Sequence, residues 1–204
     1  MLFSRFCGIF RINKLLQEVG FCRITKRALA SALKELMEDS PFSKISVSDI
    51  CQACDMNRKS FYYHFKDKYD LVNWIYYTEC VAVLKEKDYC TEWELLEDLC
   101  AYFYKNRTFY RKTLSVDGQN SFSEYFRDIL AAILAETMEG ILGQDPHLDF
   151  YVEFYTDAFL CALKRWLLAK DCMPAEEFTT LLRSCLLKTS TAILQQLSPQ
   201  QETT

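Results

Sequence analysis

A chain of 204 residues, half of them hydrophobic, can bury a sizeable core as one or two domains. Only 5 Gly and 4 Pro, with few β-branched runs, favour an all-α protein, and no apolar run approaches the roughly 18 residues of a membrane span. The net charge of −4 divides unevenly: residues 1–68 hold 12 of the 24 Lys+Arg but only 7 of the 28 Asp+Glu. A basic front and an acidic rear fit a nucleic-acid module joined to a domain of another kind, or two sets of merely solvated helix faces.

In chain order, the start MLFSRFCGIFRINK has an apolar patch broken by Arg11 and Lys14, with no small-residue cleavage site. No secretory signal is expected there, so the expectation is a cytoplasmic chain whose 10 cysteines are mostly reduced. Residues 1–23 form an N-terminal extension: either a basic arm along DNA, with Arg5, Arg11, Lys14 and Arg23, or a frayed tail, the simpler reading. From Thr25, a fair N-cap, to Asp39, the set Leu29, Ala32, Leu33, Leu36 and Met37 follows helical spacing, and Ser40-Pro41 ends the helix.

The stretch Ile45 to Leu71, ISVSDICQACDMNRKSFYYHFKDKYDL, predicts two short helices at a sharp turn and the start of a third. Ser46 caps the first, with Asp49 in the capping-box position; Val47, Ile50, Cys51 and Cys54 share its inner face. Asp55 sits where a left-handed residue is needed. Asn57 caps the second helix, which turns Phe61 and Phe65 inward and leaves Arg58, Lys59, Ser60, Tyr62 and Tyr63 largely outside. Asp67 caps the third. This is a helix-turn-helix with an outward face suited to DNA.

The string Tyr62, Tyr63, His64, Phe65, Lys66, Lys68, Asp70 and Leu71, with Ile45, Ser46, Val47, Ile50 and Met56 before it, resembles the signature of the tetracycline-repressor (TetR/AcrR) family of transcriptional regulators. It covers about the first third of the chain, and departs from the family at Asp55, where Gly is usual. The resemblance implies an N-terminal three-helix DNA-binding domain, residues 24–70, and a C-terminal helical ligand-binding and dimerisation domain, residues 71–197, with a tail at 198–204. It implies a palindromic operator in double-stranded DNA, bound by a homodimer. Arg58, Lys59 and Ser60 are expected at base edges; Tyr62, Tyr63, His64, Ser46, Ser48, Lys44 and Lys68 are expected on or near phosphates.

Beyond the signature, helices are expected over 67–87, 92–104, 109–114, 121–142, 148–170 and 175–197. Breaks fall at Asp117-Gly118, Gly143 to Pro146 and Asp171 to Pro174. The rear is rich in aromatics, which at helical spacing are residue by residue more often plain core. By resemblance, some line a ligand pocket, with Tyr102, Phe103, Phe109, Phe122, Phe126, Phe154 and Tyr155 as candidates. Small residues beside a large anchor, Ala158, Ala162 and Trp166, with Leu182, Cys185, Leu186 and Thr189 on the last helix, are the expected dimer face. The segments Asn106 to Tyr110 and Asn120 to Phe122 also resemble, more loosely, the branch containing the dihydroxyacetone-kinase operon activator, a member that responds to a protein partner.

Cys51 and Cys54 form a CxxC, but neither a second pair nor a histidine pair accompanies it: the histidines are His64 and His147. No catalytic site, metal or cofactor is expected, nor any membrane partner. The leading reading is a ligand-responsive repressor with a small-molecule effector. An activator or co-regulator working through a protein partner is the alternative, and an all-helical ligand-binding module or enzyme without a DNA role the weaker one.

Overall fold

The computed structural model describes residues 20–116 and 121–197 and contains, among them, helices and no strand. Expectations for residues 1–19, for Asp117-Gly118 and Asn120, and for the tail lie outside the described residues. The first helix among the described residues, α1 (Gly20–Asp39), includes residues ahead of the Thr25 start that its sequence suggests. Thr25 is not its N-cap but an interior, buried residue, because residues 20–24 continue the same helical turn pattern ahead of it.

A 3-10 turn, Phe42–Lys44, follows Pro41 and leads into α2 (Val47–Ala53), α3 (Arg58–His64) and α4 (Lys68–Tyr76). Each start is fixed by the expected side chain. Ser46 and Asp49 form a reciprocal capping box, Asn57 Oδ1 accepts from Ser60 N at 2.8 Å, and Asp67 Oδ1 accepts from the amides of Tyr69 and Asp70. The turn between α2 and α3 passes through Asp55 at φ 52°, the left-handed conformation that Asp tolerates better than most side chains. α1 packs on α2, α3 and α4, and Leu29, Leu33, Ile50, Phe61, Phe65, Leu71 and Ile75 close the space between them.

α4 runs on through a π-helical stretch, Tyr77–Val81, into a single turn, α5 (Ala82–Lys85). The rear of the chain is α6 (Glu92–Lys105), α7 (Arg107–Leu114), α8 (Phe122–Leu142), α9 (Leu148–Leu168) and α10 (Ala175–Leu197). α9 lies along α8, α10 along α6, and α7 touches both α1 and α9. The buried side chains form one continuous cluster from Leu29 to Phe178, so the front three-helix unit and the rear share a core through α4.

Candidate nucleic-acid interface

Helical phase sorts the residues of α3. Phe61, and Phe65 just past its end, are buried; Arg58, Lys59, Tyr62 and Tyr63 are exposed, Tyr63 by 82%; Ser60 and His64 are half-buried. Arg58 donates to Tyr62 Oη at 3.4 Å and lies over the Tyr62 ring, 5.8 Å from its centroid. The two residues therefore form one flat, cationic and aromatic surface along the helix. Lys59 is exposed beside it. On α2, Ser48 is exposed, while Ser46 has its hydroxyl engaged with Asp49, donating at 2.7 Å and accepting from the Asp49 amide. Lys44 is exposed at the corner before α2. The structure thus brings Lys44, Ser46, Ser48, Arg58, Lys59, Ser60, Tyr62, Tyr63 and His64 together in one helix-turn-helix unit.

Lys68, expected on a phosphate, has its ammonium turned toward backbone carbonyls. Its ammonium donates to the carbonyls of Phe42 at 2.8 Å, Ser43 at 3.3 Å and Ile45 at 2.7 Å, and sits 4.6 Å from the centre of the Phe42 ring. All three N–H donors of an ammonium are occupied by that set. Burial pushes its pKa down, opposed by the charge of Asp49. The carboxyl of Asp49 is itself held below its usual range by the Ser46 backbone and hydroxyl bonds. Lys68 is a staple between α4 and the corner that presents α2. Lys26 is similarly drawn inside: it is buried, with its ammonium 5.7 Å from the Phe65 ring. The basic excess of the front therefore overstates the charge that faces outward.

Cys51 is buried, and Cys54 donates from Sγ to Ile50 O at 3.3 Å, so both thiols of the CxxC serve the α2 core.

In the rear, five of the expected pocket residues form a packed aromatic group. Phe103 lies 4.8 Å from Tyr110 and 5.2 Å from Phe126, Phe122 lies 6.1 Å from Phe126, Tyr102 Oη and Tyr110 Oη are 2.7 Å apart, and Phe109 lies 5.1 Å from Tyr110. At its centre is Tyr76, not among the expected pocket residues, in ring contact with Tyr102, Phe103, Tyr110, Phe122, Tyr125 and Phe126. A signal was present: Leu71, Val72, Ile75 and Tyr76 make a stripe two residues wide. Burial pushes the Tyr76 and Tyr110 hydroxyls well above the usual phenol range. Beside the group, Glu79, Cys80, Val83, Leu84, Lys87, Asp98 and Tyr102 line a half-open cleft of about 130 Å³.

Phe154 and Tyr155, the other two expected pocket residues, stand exposed on α9. The buried stripe of α9 is Val152, Thr156, Leu163, Trp166 and Leu167, and at 100° per residue position 154 falls on the far side from it. Trp166, expected on the dimer face, is largely covered inside one subunit. It lies within the subunit, stacked 4.2 Å from Phe178 and 6.1 Å from Tyr104, with Nε1 donating to Met173 O at 2.8 Å. Ala162 and Leu182 are half-buried against the same core. Ala158, Cys185, Leu186 and Thr189 are exposed, and Phe150, Phe154, Leu181, Leu187 and Ile193 add exposed apolar area on the same two helices.

Residues 29–75, which include the helix-turn-helix, match the family model described as bacterial regulatory proteins, tetR family, and residues 91–188 match a transcriptional regulator C-terminal region of the same family. The chain belongs to the tetR family. It is a DNA-binding transcriptional regulator. A curated relative, the HTH-type dhaKLM operon transcriptional activator DhaS of Lactococcus lactis, is 29% identical over 140 residues, 68% of this chain and 72% of that one. Among solved structures, a TetR transcriptional regulator from Streptococcus agalactiae matches with TM-score 0.64 at 23% identity, covering 81% of this chain and 94% of its own. The dihydroxyacetone kinase operon activator DhaS matches with TM-score 0.58 at 21% identity, covering 81% and 96%. Among the described residues no helix is long and apolar enough to cross a membrane.

Proposed function

We propose that this regulator binds a two-fold-symmetric operator as a homodimer, with α3 of each protomer reading one half-site. The observation that carries the reading is the outer face of α3, where Arg58 and Lys59 stand exposed beside Tyr62 and Tyr63 while Phe61 anchors the helix from behind. Arg and Lys are the side chains that pair bidentately with guanine in the major groove; tyrosine hydroxyls and serines suit phosphates. The exposed apolar faces of α9 and α10 supply the contact between protomers, centred on Phe154, Ala158, Cys185 and Leu186. Two such protomers put their recognition helices in successive major grooves when these lie about one helical turn, ~34–36 Å, apart. Footprinting tests this: two protected segments on one side of the duplex are expected, and one unpaired segment at saturating protein contradicts it.

Control through a protein partner is the second reading. Five of the seven rings expected to line a small-molecule pocket are packed in one group with Tyr76, and the DhaS relative is named as an operon transcriptional activator. Under either mode an effector acts through its differential affinity for dimers with different spacing of the α3 helices. A partner that binds equally well with and without operator DNA is not coupled to it.

A further inference from the structure

Two adjacent cations on α7 reach in different directions. Lys112 donates to the carbonyls of Met37 and, at 2.9 Å, Glu38, in the last turn of α1. Arg111 donates to the carbonyl of Leu168, the last residue of α9, at 3.3 Å. A helix end leaves carbonyls unsatisfied and carries partial negative charge, so a cation there completes it. α1 has no base of its own in that turn and ends on Glu38 and Asp39, which oppose its dipole. Its completion comes from 74 positions away in sequence. α7 itself is held firmly: Phe109, Tyr110, Thr113 and Leu114 are buried, and Tyr110 touches Tyr76, Tyr102, Phe103 and Phe122.

We infer that Lys112 and Arg111 are positioning residues for DNA binding: through α7 they fix α1 of the helix-turn-helix unit against α9 of the dimer face. The inference rests on the dimeric reading above. α1 packs on both α2 and α3, so its placement relative to α9 sets where each recognition helix stands with respect to the two-fold axis. Local anchoring of α3 does not depend on Lys112, since Asn57 and Phe61 hold it from within the front unit.

The test uses the full chain and DNA carrying two selected half-sites at the preferred spacing and at spacings one or two base pairs longer and shorter, plus a single half-site. In the wild type, altered spacing weakens binding. Lys112→Met is expected to reduce that penalty by about threefold or more, in line with the loss of a helix-end cation, while leaving single half-site affinity unchanged. Lys112→Arg keeps the charge and the donors and restores the penalty; Arg111→Met loosens it as Lys112→Met does. A Lys112→Met chain with a lower melting temperature but the wild-type spacing profile overturns the inference, because the lysine is then a plain structural cap. A wild type that ignores spacing overturns the dimeric reading and this inference with it.

Discussion

Replacing Lys68 by Met separates a structural from a DNA-contacting lysine. Methionine keeps most of the apolar stem over Phe42 and Tyr69 and removes only the ammonium. Two of the lost bonds, to Phe42 O and Ile45 O, are short, at 2.8 and 2.7 Å, and the third, to Ser43 O, is long at 3.3 Å. Hydrogen bonds from a charged donor are worth about 1.5–3 kcal/mol each when intact. The site is half-exposed, however, and water will take up part of what the carbonyls lose. We therefore expect a loss of about 1–3 kcal/mol, which for a chain of this size lowers the melting temperature by roughly 2–12 °C. The companion assay is operator affinity against salt concentration. A lysine that touches no phosphate leaves the slope unchanged, although affinity falls if the corner before α2 shifts. A phosphate-contacting lysine would flatten the slope by about 0.9. A flatter slope with unchanged stability refutes the staple.

The dimer face answers to Ala158→Arg, which sets a charge among the exposed apolar residues of α9; sedimentation should show monomers, and an intact dimer removes this face from the contact. Burial raises the Cys80 and Cys100 thiols to about 12, whereas Cys90, Cys161 and Cys185 are exposed. A thiol reagent at pH 8 should modify Cys90 in the folded chain and spare Cys80 and Cys100 until unfolding; equal rates would contradict their burial. The same raised values fix a sign for stability. Their contribution is whole below the unfolded thiol value of 9.0 and is lost as pH rises from there through about 12, so a denaturant midpoint that holds steady across that window would be contrary to it.

Most of the helix-turn-helix was legible because its signals are local. A cap and its amide lie within three residues, as for Ser46 with Asp49 and Asn57 with Ser60, and a helical phase of four places Phe61 and Phe65 together. Asp55 could be read as left-handed from the turn alone. What was not legible depended on partners distant in sequence. Lys68 meets carbonyls 23 to 26 positions back, so nothing near it marks the ammonium as occupied. Trp166 has apolar neighbours on both sides of its helix, and only the fold shows that Phe178 and Tyr104 cover it. Phe154 and Tyr155 belong to an aromatic-rich helix whose inner stripe is set by α8, and composition does not reveal phase. Tyr76 was hidden for the opposite reason. It sits in a helix read for its aliphatic positions, and its ring neighbours come from α6, α7 and α8.

Whether α3 reads DNA through Arg58 and Lys59 is decided by selecting bound sequences from a random duplex pool. The wild type should recover two inverted half-sites. Lys59→Ala should recover the same sites with preference relaxed at one base pair in each half, a change worth roughly 1–3 kcal/mol there if the contact is bidentate to guanine. Identical base preferences from the wild type, Lys59→Ala and Arg58→Ala would contradict this role of α3 and move the reading of sequence to another surface of the protein.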